Sequence, residues 1–81
     1  MNAADHISNT LGSRLTQRFT YSGSNVDYVG EAYPGVAEGD LKWRIKKLSY
    51  DGSGNPTAVN FADKSGDFDK SWTLRATYSY T

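Results

Sequence analysis

Apolar and polar residues alternate with period two through most of this chain. Leu15, Gln17, Phe19 and Tyr21 alternate with Arg14, Thr16, Arg18 and Thr20, the pattern of a half-buried strand. Ser22-Gly23-Ser24-Asn25 interrupts it. Residues 26–33 form a second extended stretch, broken by Gly30 and stopped by the turn dipeptide Pro34-Gly35. Glu38-Gly39-Asp40 is a further polar break. Residues 41–50 read as a third strand, with Trp43 and Ile45 on one face and Lys42, Arg44 and Lys46 on the other. The phase slips at Lys46-Lys47, because Leu48 and Tyr50 fall on the opposite parity. A β-bulge there would return both to the face of Trp43.

Asp51-Gly52-Ser53-Gly54-Asn55-Pro56 is the strongest turn signal in the chain. It predicts a hairpin closing onto residues 57–62, where Val59 and Phe61 alternate with Ala58 and Asn60. Residues 63–71 read as a charged loop. Trp72, Leu74, Ala76, Tyr78 and Tyr80 then alternate without a fault against Thr73, Arg75, Thr77 and Ser79, which predicts a fifth strand. No segment holds a helical period and no internal repeat is visible. The expected fold is all-β: a small antiparallel β-sandwich or partly open barrel of about five strands. Residues 14–81 form that single domain. Residues 1–13 read as a flexible N-terminal arm, polar apart from Ile7 and Leu11 among its larger side chains.

Length sharpens this picture. A single core in a chain of 81 residues rarely supplies more than about 3–5 kcal/mol. The chain has no cysteine and one histidine, His6. Disulfides, thiolate zinc sites and histidine clusters are therefore excluded as supports, which leaves oligomerisation. Nine basic and nine acidic residues give a formal net charge of zero. That disfavours an electrostatic nucleic-acid binder and favours self-association. Residues 1–12 carry neither a basic n-region nor an apolar run, so neither a signal peptide nor a membrane span is expected.

Candidate chemistry is sparse. His6 lies in the arm, and no nucleophile–histidine–carboxylate set can be assembled, so no enzyme and no cofactor are expected. The loops at 51–56 and 63–69 place oxygen side chains at alternate positions, as calcium sites do. The same residues are those that tight turns prefer, and a structural turn is the favoured reading of both, with no metal ligand assigned. Lys42, Arg44, Lys46 and Lys47 beside Trp43 could suggest a single-strand binder, but the alternation sends Trp43 away from Lys42, Arg44 and Lys46. Aromatics make up 14% of the chain, and planar rings can stack on sugars. Tyr33, beside the Pro34-Gly35 turn, and Phe68, in the charged loop, are the candidate ligand contacts.

From Tyr28 onward the order of features resembles small proteins encoded by tailed bacteriophages and environmental viral genomes. The residues carrying the likeness are Tyr28-Val29-Gly30-Glu31-Ala32, Trp43-Arg44-Ile45-Lys46-Lys47, Phe61-Ala62-Asp63 and Trp72 followed by Arg75-Ala76. The family pattern has an aromatic-Ala-Asp-Gly loop, whereas here Lys64-Ser65 separate Asp63 from Gly66. The resemblance covers about two-thirds of the chain. It implies a non-enzymatic virion component of a tail, neck or capsid surface. Its partners would be copies of itself and other virion proteins, with no nucleic acid and no membrane. Ile7, Leu11, Tyr78 and Tyr80 are the candidate assembly residues. The alternative is a carbohydrate- or receptor-binding β module that takes a surface glycan through Tyr33 and Phe68.

Overall fold

The computed structural model describes residues 14–81. Four strands form one antiparallel sheet in the order β1-β2-β3-β4, each paired with its neighbour in sequence. They are β1 (Thr16–Ser22), β2 (Asn25–Ala32), β3 (Arg44–Tyr50) and β4 (Pro56–Phe61). The meander follows from turn chemistry. Gly23 sits at φ 63° and Gly54 at φ 85° in the two tight connections, a region glycine enters without steric cost. Asp51 completes the second turn. Its carboxylate accepts the backbone N–H of Ser53 at 2.9 Å and of Asn55 at 3.0 Å.

All-β is the class observed, but the architecture differs from the five-stranded sandwich or barrel expected from the pattern. Among the described residues there is one sheet of four strands, and residues 72–80 are not a strand. They belong to a strap, residues 65–81, laid on the sheet with a 3-10 turn at Arg75–Thr77. A single bridge, Trp43 with Lys70, ties the start of the strap to the sheet. The reason is tertiary. The Trp72 ring is drawn into the sheet face over Gly30, where an added Cβ would lie 2.5 Å from its Cε3. Past it the chain turns back, Arg75 N–H donating to the Trp72 carbonyl at 3.2 Å and Thr77 N–H to that of Leu74 at 2.8 Å. The Tyr80 hydroxyl then donates to the Arg75 carbonyl at 2.7 Å.

The strap side of the sheet holds the core: Ala32, Trp43, Ile45, Ala62 and Trp72 are buried, with Tyr28, Val36, Tyr78 and Tyr80 packed at its margin. The two indoles lie 6.0 Å apart at 34°, and the Trp43 indole N–H donates to the Ala37 carbonyl at 2.9 Å. Tyr80 meets Tyr28 edge-on at 5.4 Å.

The bulge expected at Lys46-Lys47 is absent. Tyr28 pairs with Lys47, Val29 with Lys46 and Gly30 with Ile45 without a slip, and the register shift in β3 falls at Ser49/Tyr50 instead. Leu48 therefore stays on the face opposite Trp43 and Ile45, and both faces of the sheet carry apolar side chains. After β4, Asp63 and Lys64 adopt φ 51° and 61°, left-handed conformations uncommon outside glycine.

Candidate functional site

Directly opposed residues in an antiparallel pair point to the same face, so the register defines the side of the sheet away from the strap. Phe19 opposes Val29, Val29 opposes Lys46, and Lys46 opposes Phe61. Leu48 opposes Val59 in the next row. Phe19 is 48% exposed and Val59 53%. In a globular sheet such side chains are expected beneath a second layer. Here they lie open.

A polar row borders this patch. Gln17 opposes Glu31, and Glu31 opposes Arg44. The Arg44 guanidinium donates to Glu31 Oε1 at 2.8 and 3.1 Å. Gln17 donates to Oε2 at 3.3 Å, and the Lys46 ammonium stands 3.9 Å from Oε1. Burial pushes the Glu31 carboxyl up, but the Arg44 hydrogen bond, the Lys46 charge and the Gln17 amide together hold its pKa below the ordinary 4.5. A depressed folded pKa gives stability that is full above the unfolded value and lost as pH falls through the folded one. Glu31→Gln should thus lower stability near neutral pH by about 1.5–3 kcal/mol. It should also flatten the loss of stability below about pH 4.5. Urea melts across that range check this, and parallel curves for variant and parent would contradict it.

Tyr33 and Phe68 come together at the end of this row. Their ring centroids are 5.3 Å apart, tilted by 35°, and the Arg44 guanidinium lies 4.7 Å from the Phe68 centroid. Tyr33 is 58% exposed. The two candidate ligand contacts, distant in sequence, thus form one aromatic pair whose base is the Arg44–Glu31 ion pair. Sequence reasoning missed Glu31 and Arg44 as members of this cluster. Their signal was present only as opposite charges on neighbouring strands, whose register the sequence left open.

Tyr78 and Tyr80, the candidate assembly residues of the C-terminal end, are half-buried and engaged within the chain. The Tyr78 hydroxyl accepts the Ser71 N–H at 2.9 Å. Burial, then the neighbouring Tyr28, push the Tyr80 hydroxyl well above its ordinary pKa. Ile7 and Leu11, the other two, lie outside the described residues, as does His6. In the charged loop, Asp69 accepts from the Lys70 ammonium at 2.7 Å, and Asp63 accepts the Ser79 N–H at 3.0 Å. Among the described residues no three acidic or histidine side chains gather into a group that could hold a metal ion, and no helix is long and apolar enough to cross a membrane. Trp43 is fully buried, on the face away from Arg44 and Lys46, so it forms no stacking platform with them.

The residues that carry the phage resemblance converge in space. Gly30, Ala32, Trp43, Ile45, Ala62 and Trp72 are the core and its notch. Comparison with known protein families, with curated proteins and with solved structures finds no match to this chain.

Proposed function

We propose that this chain is a non-enzymatic structural protein of a tailed-phage virion, a tail, neck or capsid-surface component that acts by oligomeric assembly. The observation that carries the assembly part is the sheet face away from the strap, where Phe19 and Val59 are exposed beside half-buried Leu48 and Phe61. One face of the sheet is sealed by the strap, while the other presents apolar side chains to solvent. A contiguous apolar surface on a small domain marks an interaction site. A neighbouring protein seated there would supply the second layer of a sandwich that the chain lacks by itself. The virion part rests on the family resemblance, whose residues build this core. Copies of the chain and other virion proteins are the partners; nucleic acid and membrane have no part in this reading.

Phe19→Asp and Val59→Asp test it. Both positions are exposed, so the fold should survive with about 0.5 kcal/mol of change or less. Light scattering at high concentration should show the parent as an oligomer and each variant shifted towards monomer. A parent chain that stays monomeric, and that does not bind particles lacking it, would overturn the proposal.

The pairing of Tyr33 with Phe68 favours a second reading, a carbohydrate- or receptor-binding module. An exposed ring backed by a fixed ion pair is a platform on which a sugar face can stack. Glycan binding by the monomeric Phe19→Asp variant, lost on Tyr33→Ala, would replace assembly as the main activity.

A further inference from the structure

We propose that the C-terminal strap, residues 65–81, is exchanged between two copies of this chain, each copy's Trp72 filling the Gly30 notch of the other. This rests on the reading that copies of the chain assemble, and it names the element they trade.

Four observations lead there. The strap is joined to its own sheet by one bridge pair, Trp43 with Lys70, rather than by a ladder, so lifting it breaks no strand. Its sequence alternates as a strand over residues 72–80, yet it lies as a 3-10 turn that leaves Leu74 46% exposed. Local preference and observed conformation therefore disagree. The receiving surface belongs to the sheet: Gly30, Ala32, Trp43 and Ile45 are held on β2 and at the start of β3 and need no rearrangement. Finally, the hinge is strained. Asp63 and Lys64 stand side by side at φ 51° and 61°, where a side chain crowds the backbone.

The energetics then favour exchange once copies are close. A strap taken by a second copy remakes the Lys70 bridge and the contact between Trp43 and Trp72. An extended hinge releases the two left-handed residues. Two terms oppose this: the entropy of association, which concentration lowers, and the hydrogen bonds of the closed hinge, Asp63 N–H to the Ser79 carbonyl at 2.7 Å and Ser65 N–H to the Ala62 carbonyl at 3.0 Å. Strained short hinges are a known route to such swapping.

Paired cysteines read the exchange directly, since the natural chain has none. A Cβ at Gly39 would lie 3.9 Å from Thr73 Oγ1, which brings side chains at 39 and 73 into contact, so a cysteine pair there can be tried as a crosslink. In the full chain, Gly39→Cys with Thr73→Cys should give intrachain disulfides when oxidised dilute. After concentration, the same protein should give covalent dimers on a non-reducing gel. Lys64→Gly in that background relaxes the closed hinge and should lower the dimer yield about fivefold. Should the cysteines disturb folding, a mixture of differently isotope-labelled parent chains gives the same answer, through magnetisation transfer between Trp72 of one and Gly30 of the other. Intrachain disulfides alone, in a sample that light scattering shows to be oligomeric, would overturn exchange while leaving assembly intact. A chain monomeric at every concentration would overturn both.

Discussion

Trp72→Ala should cost about 3–5 kcal/mol, the range for removing a buried large aromatic side chain. Trp72 is the plug that joins the strap to the sheet, packed at a tilt against Trp43 and seated over Gly30. Proteins are stable by only roughly 0.05–0.15 kcal/mol per residue, so the loss is a large share of what an 81-residue chain has. The consequences spread beyond one cavity. Without the plug, Tyr78 and Tyr80 lose the chain geometry that sets them against Ser71 and Tyr28, and the core face is laid open to solvent. Urea unfolding followed by tryptophan fluorescence, which would then report Trp43 alone, should show a transition near or below zero denaturant at room temperature. A loss of less than about 1 kcal/mol, the centre of the range for ordinary substitutions, would mean that the strap does not hold the core as described.

Gly30→Ala should destabilise the fold by about 1–3 kcal/mol, against the usual direction of that change. Where space allows, replacing glycine by alanine stabilises a protein by about 0.4–1 kcal/mol, because the unfolded chain loses freedom. At Gly30 the new methyl would stand 2.5 Å from Trp72 Cε3 and 3.2 Å from Trp43 Cε3. Both are rigid rings in a packed core, so one of them must move. The sign of the effect is therefore the test. Combined with Trp72→Leu, which withdraws the ring, the same alanine should become neutral or stabilising. The resulting coupling would be well above the few tenths of a kcal/mol seen between independent sites. Equal effects of Gly30→Ala in both backgrounds would show that the notch is not what seats Trp72.

These two residues also explain the glycine in the middle of β2. Tyr28-Val29-Gly30-Glu31-Ala32 looks like an interrupted strand when read linearly. In three dimensions Gly30 is the only residue type that admits the Trp72 ring at that point, and Trp72 stands 42 positions away in the sequence (72 − 30). A Gly and a Trp at that separation carry no local signal of one another.

The local chemistry of the sequence by itself determined the meander. Period-two alternation set β1, β4 and the first part of β3, an extended stretch bounded by turn residues marked β2, glycines at positive φ and the Asp51 carboxylate set the tight turns, and the parity of Trp43 and Ile45 set the buried face of β3. Those features act between near neighbours, so they can be read along the chain. Tertiary structure decided the rest. Residues 72–80 alternate as a strand would, but alternation requires only that every second side chain be apolar. Leu74 and Ala76 are left exposed, while Trp72 inserts into the notch and Tyr78 and Tyr80 pack at the core margin. The ladder that would have made them a strand was outcompeted by one buried indole and by turn hydrogen bonds. Likewise, the slip at Lys46-Lys47 reads equally well as a bulge or as a change of face. Pairing with β2 chose the change of face, because an unbroken register keeps the ladder hydrogen bonds of both neighbours. That choice put Leu48 beside Val59 and made the open apolar surface on which the proposed assembly depends.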